Sequence, residues 1–360
     1  MIASLLGMHM ANELLSVPIA GLTLALAVAA VAIAALRARR LASDERLPLM
    51  GVMGAFVFAA QMINFSLPGM PGTSGHLGGG VLLAILLGPA AAIVTMTAIL
   101  IVQCLLFQDG GLLALGCNII NLGVVPSIVG WGCYRLLLGP ASRAAAGRQY
   151  LAAWLACVAG VTAGAVLVPI QAAVSGVLKV PLNHFLGVMI GVHLIIGLCE
   201  GGLTFAVIAY LRRVRPEQMG LDPAAAPGAT RRPGLGVVTA SVLVTALLLA
   251  GVVSWFASSL PDGLEWSYRE HRYGTAERTV DNRSSVIAAV DRWQSEWSPL
   301  TDYGRREAPL GQAAPSGTAG PASPWPNPDG WGSLAGILGT VVTLALVYGV
   351  SRVMRRKAHA

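Results

Sequence analysis

The chain has 360 residues, of which 55% are hydrophobic and only 11% are charged, and its net charge is +7. Soluble domains carry about 25% charged residues. This composition, with a mean hydropathy of +0.68, excludes a soluble globular enzyme, a disordered chain and a coiled coil. It predicts an all-α polytopic membrane protein, and the 43 glycines and 21 prolines suit membrane helices, which tolerate both residues.

Apolar runs mark the candidate membrane helices, because a helix that spans the lipid needs about 20 apolar residues. Eight runs are long enough: 17–36, 48–65, 89–107, 112–138, 150–175, 186–211, 235–259 and 331–351. A ninth stretch, 77–87, is short for a crossing, and Gly88-Pro89 separates it from the next helix.

The distribution of charge predicts the orientation. Ten of the 17 acidic residues lie between Asp262 and Asp329, whereas the arginines cluster after four of the apolar runs. With the N-terminus outside and 77–87 counted as a crossing, 16 of the 17 basic residues beyond that acidic stretch lie in the cytoplasm. This agrees with the positive-inside rule, with Lys179 as the exception. We therefore predict nine segments, with the C-terminus cytoplasmic.

The same segments divide the chain into two membrane blocks. Residues 1–211 contain seven segments, one of them short, and residues 235–360 contain a two-helix hairpin around an external loop, 260–330. A cytoplasmic linker rich in Arg, Pro and Ala, 212–234, joins the blocks. The loop contains GQAAPSGTAGPASPWPNPDG, whose Pro, Gly and Ser content predicts flexible coil.

Several familiar motifs are missing from the sequence. It has no Walker motif, no G-x-S-x-G and no H-E-x-x-H, so we expect neither ATP binding nor a catalytic site of these kinds. The five cysteines all lie inside apolar runs and form no C-x-x-C pair, so we expect neither a disulfide framework nor a thiolate metal site. The first seven residues, MIASLLG, are too few and lack the basic start of a secretory signal.

Two histidines lie at the outer face in the predicted topology. His9 stands in Met8-His9-Met10, and His76 stands in the glycine-rich sequence GTSGHLGGG. Imidazole is a suitable ligand for Ni, Cu, Zn and Co, so this pair is a candidate metal site. The alternative is that both are ordinary hydrogen-bonding residues at the membrane interface.

Polar residues inside membrane helices form a second group of candidates. His193 and Glu200 are seven residues apart and therefore lie near one face of a helix. They are either a buried structural pair, part of a transport pathway, or the acid/base pair of a membrane enzyme or sensor. Asn118 and Asn121 lie on another helix, where hydrogen bonding between helices is the default role.

Four motifs in order resemble the CbiM/NikM family, the substrate-specific membrane components of energy-coupling factor transporters for cobalt or nickel. They are Met8-His9-Met10 with the Leu-Leu-Ser that follows, GTSGHLGGG around His76, FQDGGLLALGCNIINLG at 107–123, and HxxIGxxEG at 193–201. Residues 258–266, SSLPDGLEW, resemble the PDGLE signature of the small partner subunit, CbiN/NikN. Here that subunit is expected to be fused at the C-terminus.

The resemblance implies a multi-pass component of a bacterial or archaeal cell membrane that captures Ni²⁺ or Co²⁺ at its outer face. It implies no enzyme activity and no permanently bound cofactor, since the metal ion is the transported substrate. ATP hydrolysis would reside on separate cytoplasmic ATP-binding subunits, joined through a coupling transmembrane subunit, and nucleic acid is not an expected partner. The C-terminal hairpin would help to load the metal or to open its site.

The resemblance also implies the ligands, which in this chain would be Met8, His9 and His76. In the family the mature chain begins Met-His, and its α-amine, the next backbone nitrogen and the imidazole form fused chelate rings. The loop histidine completes a nearly planar nitrogen set, which suits Ni(II), although these residues do not separate nickel from cobalt. In the same place as the family's Pro-Asp-Gly-Phe-Leu, this chain has Ala11-Asn12-Glu13-Leu14-Leu15.

Seven residues precede Met8, and an internal Met8 has no free amine for such a chelate. We expect translation to start at Met8. The alternatives are that the extension is removed, or that the site is built differently, with His184 and His193 as the next candidate ligands.

Overall fold

The computed structural model of the chain describes residues 9–40, 46–139, 145–215, 234–258, 260–264, 284–304 and 326–356. Helices predominate, because apolar segments in lipid must satisfy their backbone polar groups internally. Six of the described helices are long and apolar enough to cross a membrane, and two shorter apolar helices accompany them. The chain is a polytopic membrane protein, as its composition predicts.

In the first part of the chain, the described residues form eight α-helices and a small hairpin. The helices are α1 (Val17–Arg40), α2 (Arg46–Gln61), α3 (Gly80–Leu87), α4 (Pro89–Phe107), α5 (Leu115–Asn118), α6 (Val125–Leu138), α7 (Ala146–Val174) and α8 (Leu182–Val214). A π-helix, Ile119–Val124, joins α5 to α6 in one span. The strands β1 (Phe65–Ser66) and β2 (Ser74–Gly75) pair antiparallel, with Phe65 opposite Gly75.

The short stretch predicted at 77–87 is the helix α3. Its eight residues rise about 12 Å, less than half of a lipid core of about 30 Å. Most of its side chains are buried, and Gly88 at φ +83° makes the turn into α4. The crossing assigned to this segment by charge remains a prediction.

The described residues of the C-terminal part include the helices α9 (Leu235–Gly251), α10 (Ser285–Trp297) and α11 (Gly330–Arg356). Ala250 of α9 and Val347 of α11 share one hydrophobic core with Phe58 and Phe107 of the first part. A Cβ added at Gly54 of α2 would lie 3.3 Å from Val347, so close helix packing joins the two parts.

Residues 260–330, predicted to be an external loop, contain a helix that the sequence did not indicate. Helix α10 buries Ile287 and Gln294 and exposes Trp293 and Trp297, so it packs one face against the membrane domain. Residues 305–325, which include most of the stretch predicted as coil, lie outside the described residues, and so do residues 216–233 of the linker.

Candidate metal-binding site

The segment that precedes α1 is inserted beside the chain that follows α4. The N–H of Met10 donates to Oδ1 of Asn118 at 2.9 Å, and its carbonyl accepts from Nδ2 of Asn118 at 3.2 Å and from the N–H of Gly111 at 3.0 Å. Gly110, at φ +87°, allows this approach, since a Cβ there would lie 2.9 Å from Cβ of His9. His9 is consequently only 2% exposed.

The imidazole of His9 contacts a buried carboxylate in the loop between α4 and α5. Its Nδ1 lies 2.6 Å from Oδ1 of Asp109, and the other carboxylate oxygen accepts a hydrogen bond from the hydroxyl of Tyr303 at 2.7 Å. Among the described residues, Nε2 of His9 has no hydrogen-bond partner. Burial raises the pKa of Asp109, but attraction to His9 and hydrogen bonds from His9 and Tyr303 outweigh it, so the pKa is lowered. Asp109 is therefore a carboxylate at neutral pH.

His76 follows β2 and lies beside His9. The centroids of the two imidazole rings are 5.5 Å apart, with their planes tilted by 51°. Nδ1 of His76 lies 3.3 Å from the carbonyl of Leu77, and Gly79 at φ +75° turns the chain into α3. The two histidines selected from the sequence thus lie side by side.

Helix α8 contributes His193 and Glu200. Oε2 of Glu200 accepts from the N–H of Gly78 at 2.7 Å, and Oε1 has no hydrogen-bond partner among the described residues. Nδ1 of His193 donates to the carbonyl of Met189 at 2.8 Å, one turn earlier on the same helix. Glu200 therefore holds the glycine-rich loop that carries His76, and His193 is bonded to its own helix.

The two asparagines of the π-helix span make different contacts. Asn118 binds the backbone of Met10, as described above. Asn121 exchanges two hydrogen bonds with Gln171 of α7, at 2.8 and 2.9 Å. Asn118 thus supports the segment that carries His9, whereas Asn121 joins two helices.

The PDGLE segment of the C-terminal part lies beside β2, the strand that precedes His76. The N–H of Ser74 donates to the carbonyl of Pro261 at 2.8 Å, and a parallel bridge pairs Ser74 with Asp262. Gly263 lies against Val192 of α8. The segment is therefore bridged to the hairpin that leads to His76.

These elements surround a cavity of about 60 Å³, which we call the histidine cavity. A cavity of this size holds only a few water-sized groups. Its polar lining consists mainly of His9, His76, Asn118, His193, Glu200 and Asp262. In the part of the chain that the structure describes, no group of three or more His, Cys, Asp or Glu side chains is arranged to hold a metal ion. Met8, the third ligand expected from the sequence, lies outside the described residues.

Sequence analysis missed Asp109 and Tyr303. Asp109 carried a usable signal, because it is one of only seven acidic residues outside the stretch 262–329 and follows an apolar helix directly. Tyr303 carried none, since it is 194 residues from Asp109 in the chain and lies in a loop without any recognised motif.

Two family models match the chain. CbiM, the cobalt uptake substrate-specific transmembrane region, matches residues 9–218, and the PDGLE domain matches residues 237–356. The first match alone covers more than half of the 360 residues.

Several relatives match most of the chain. NikMN of Archaeoglobus fulgidus, named for fused nickel transport, is 32% identical over 350 residues, which cover 97% of this chain and 99% of the relative. The fused nickel transport protein NikMN of Rhodobacter capsulatus is 31% identical, with coverage of 75% and 81%. The cobalt transport protein CbiM of Geobacter sulfurreducens is 30% identical, with coverage of 68% and 72%.

A crystal structure described as a transition metal transporter also matches, with a TM-score of 0.50 and 31% identity over 57% of this chain and 93% of that one. Because the relatives are metal transport proteins, the chain is a component of nickel or cobalt transport, and not the membrane enzyme considered as the alternative for His193 and Glu200. The chain belongs to the CbiM family and carries a PDGLE domain, similar to NikN, fused at its C-terminus.

Proposed function

We propose that this chain is the substrate-capture component of an energy-coupling-factor importer and binds Ni²⁺ or Co²⁺ in the histidine cavity. The observation that carries this proposal is the pair of imidazoles, His9 and His76, with ring centroids 5.5 Å apart. Metal–nitrogen bonds of about 2.0–2.1 Å allow two rings at that separation to share one ion. The small volume of the cavity suits a single ion better than an organic substrate.

The remaining ligands in this proposal are nitrogens at the start of the chain. The α-amine of Met8 and the backbone nitrogen of His9 form fused rings with Nδ1 of His9, and Nε2 cannot close such a ring. In the described geometry Nδ1 contacts Asp109, so metal binding replaces that contact. Asp109 then remains beside the ion as a carboxylate. A planar set of four nitrogens favours Ni²⁺.

The orientation and the partners belong to the same proposal. The end of α1 and the end of α11 line one cavity, through Arg37, Arg40 and Met354, which agrees with both ends being cytoplasmic and His9 being external. The sequence contains no nucleotide-binding motif, so the driving energy comes from separate ATP-binding subunits through a coupling transmembrane subunit. The metal-binding domain is residues 1–211, linked by 212–234 to the PDGLE domain, 235–360.

The N-terminus provides the test. A chain that starts at Met8 should bind Ni²⁺ more tightly, by isothermal titration calorimetry, than a chain shown by mass spectrometry to retain residues 1–7. Acetylation of the Met8 amine should weaken binding strongly. Affinity should also fall at low pH, because the amine and His9 must lose protons to become ligands.

The control is His184→Ala, which removes an exposed histidine at the start of α8 that is outside the cavity lining; it should leave the affinity unchanged. Equal affinity of the Met8 start and the chain that retains residues 1–7 would rule out the chelate.

A further inference from the structure

We propose that Tyr303, which belongs to the PDGLE domain, is a positioning residue for the metal site of the CbiM domain. Its hydroxyl holds the carboxylate of Asp109. That carboxylate orients the ring of His9 before metal binding, and it stays beside the ion after Nδ1 of His9 has left it for the metal. The inference rests on the proposed function and deepens it, because it names the side chain through which the C-terminal domain acts on the metal ligands.

The contact runs through both oxygens of one carboxylate. The hydroxyl of Tyr303 donates to Oδ2 of Asp109 at 2.7 Å, and Oδ1 lies 2.6 Å from Nδ1 of His9. Asp109 is only 3% exposed, and short hydrogen bonds to a buried carboxylate are among the stronger ones in proteins. With one partner on each oxygen, the carboxylate has a single defined orientation, and so has the imidazole.

Tyr303 is itself held firmly in place. Its ring stacks on Phe107, with centroids 4.6 Å apart and planes 14° from parallel. Tyr303 and Asp302 have φ values of +58° and +52°, and Gln108, directly before Asp109, has +55°. Such values are uncommon for residues other than glycine, and strained backbone of this kind is concentrated at functional sites, where surrounding contacts maintain it.

The segment 284–304, which carries Tyr303, has other hydrogen bonds to the CbiM domain that do not involve Asp109. Nε2 of Gln294 donates to the carbonyls of Gly110 and Cys104 at 2.9 and 3.0 Å. Oγ of Ser298 donates to the carbonyl of Leu105 at 3.0 Å. Loss of the Tyr303 hydroxyl therefore leaves these anchors in place and removes its hold on the carboxylate. A defect in such a variant would report on positioning rather than on docking.

The experiment compares Tyr303→Phe with Ser298→Ala in the full chain. Each removes one hydroxyl that bonds the loop to the CbiM domain, but only Tyr303 reaches Asp109. We expect Tyr303→Phe to weaken Ni²⁺ binding, measured by titration calorimetry, by about 10-fold, the lower end of the effect of groups that orient metal ligands. Ser298→Ala should bind as the wild type does, and both variants should melt at similar temperatures.

A double-mutant cycle tests the route through Asp109. In an Asp109→Asn background, Tyr303→Phe should have little further effect on Ni²⁺ affinity, because residues that act through one another are not additive. Additive losses would overturn the proposal, and so would equal losses in Tyr303→Phe and Ser298→Ala, which would indicate docking alone.

A third variant, His76→Ala, distinguishes a failure of this inference from a failure of the proposed function. If the wild type binds Ni²⁺ and His76→Ala does not, while Tyr303→Phe binds as the wild type does, only the positioning role fails. If His76→Ala also binds as the wild type does, the proposed metal site itself fails.

Discussion

Two cavities of very different character lie in this molecule. The histidine cavity has about 60 Å³, and imidazole, amide and carboxylate groups lie among the apolar residues that line it. The second, which we call the apolar cavity, has about 810 Å³ and is lined mainly by Ala, Ile, Leu and other apolar residues of α1, α3, α4 and α6. The π-helix lies between them, with Asn121 lining the first and Val124 the second.

The difference agrees with the proposed place of metal recognition. In the histidine cavity the polar groups are fixed by hydrogen bonds and by close approach at glycines, so a small ion meets donors that are already oriented. The charged residues that line the apolar cavity are Arg37 and Arg40, whose positive charge disfavours a divalent cation. Substitutions of the imidazoles, or of the groups that hold the segments carrying them, should therefore change metal affinity, and substitutions in the second cavity should not.

The largest effect is expected for His76→Ala. It removes one of the two neighbouring imidazoles, so specific binding of Ni²⁺ and Co²⁺ should be abolished while the protein still inserts and folds. Titration calorimetry on purified protein gives the affinity, and the melting temperature gives the fold. Wild-type affinity in the variant would remove His76 from the site.

An intermediate effect separates Asn118 from Asn121, two identical side chains three residues apart. Asn118→Ala frees the backbone of Met10 and should weaken Ni²⁺ binding about 10-fold. Asn121→Ala should keep the affinity and lose stability, since hydrogen bonds between membrane helices contribute about 0.6 kcal/mol each on average. Calorimetry and thermal unfolding of both variants measure the contrast. If Asn121→Ala lost the metal and Asn118→Ala kept it, the roles assigned here would be reversed.

The smallest effect is expected in the apolar cavity. The double substitution Arg37→Gln, Arg40→Gln changes its charge without touching the histidine cavity, so Ni²⁺ affinity of the isolated chain should stay at the wild-type value. The same calorimetric titration measures it. A loss as large as that of Asn118→Ala would show that the two cavities are coupled through the π-helix.

Sequence analysis predicted the class of protein and the order of its helices. These properties depend on the length of apolar runs and on the placement of arginines. Both can be read directly from short stretches of the sequence. Helix α10 was missed because the Pro, Gly and Ser residues near it dominated the composition of the loop. Its amphipathic pattern, with Ile287 and Gln294 on the buried face, has meaning only once the surface it covers is known.

The sequence by itself thus determined that the chain is a membrane protein, because composition and apolar runs are sufficient for that. It also indicated His9 and His76 as candidate ligands, because each lies in a local motif. Only the tertiary structure decided which groups meet. Asp109 is 100 residues from His9, and Tyr303 is 194 residues from Asp109. Contacts over such separations depend on how α4 packs against residues 284–304. Packing involves surfaces from distant segments, which no local pattern records.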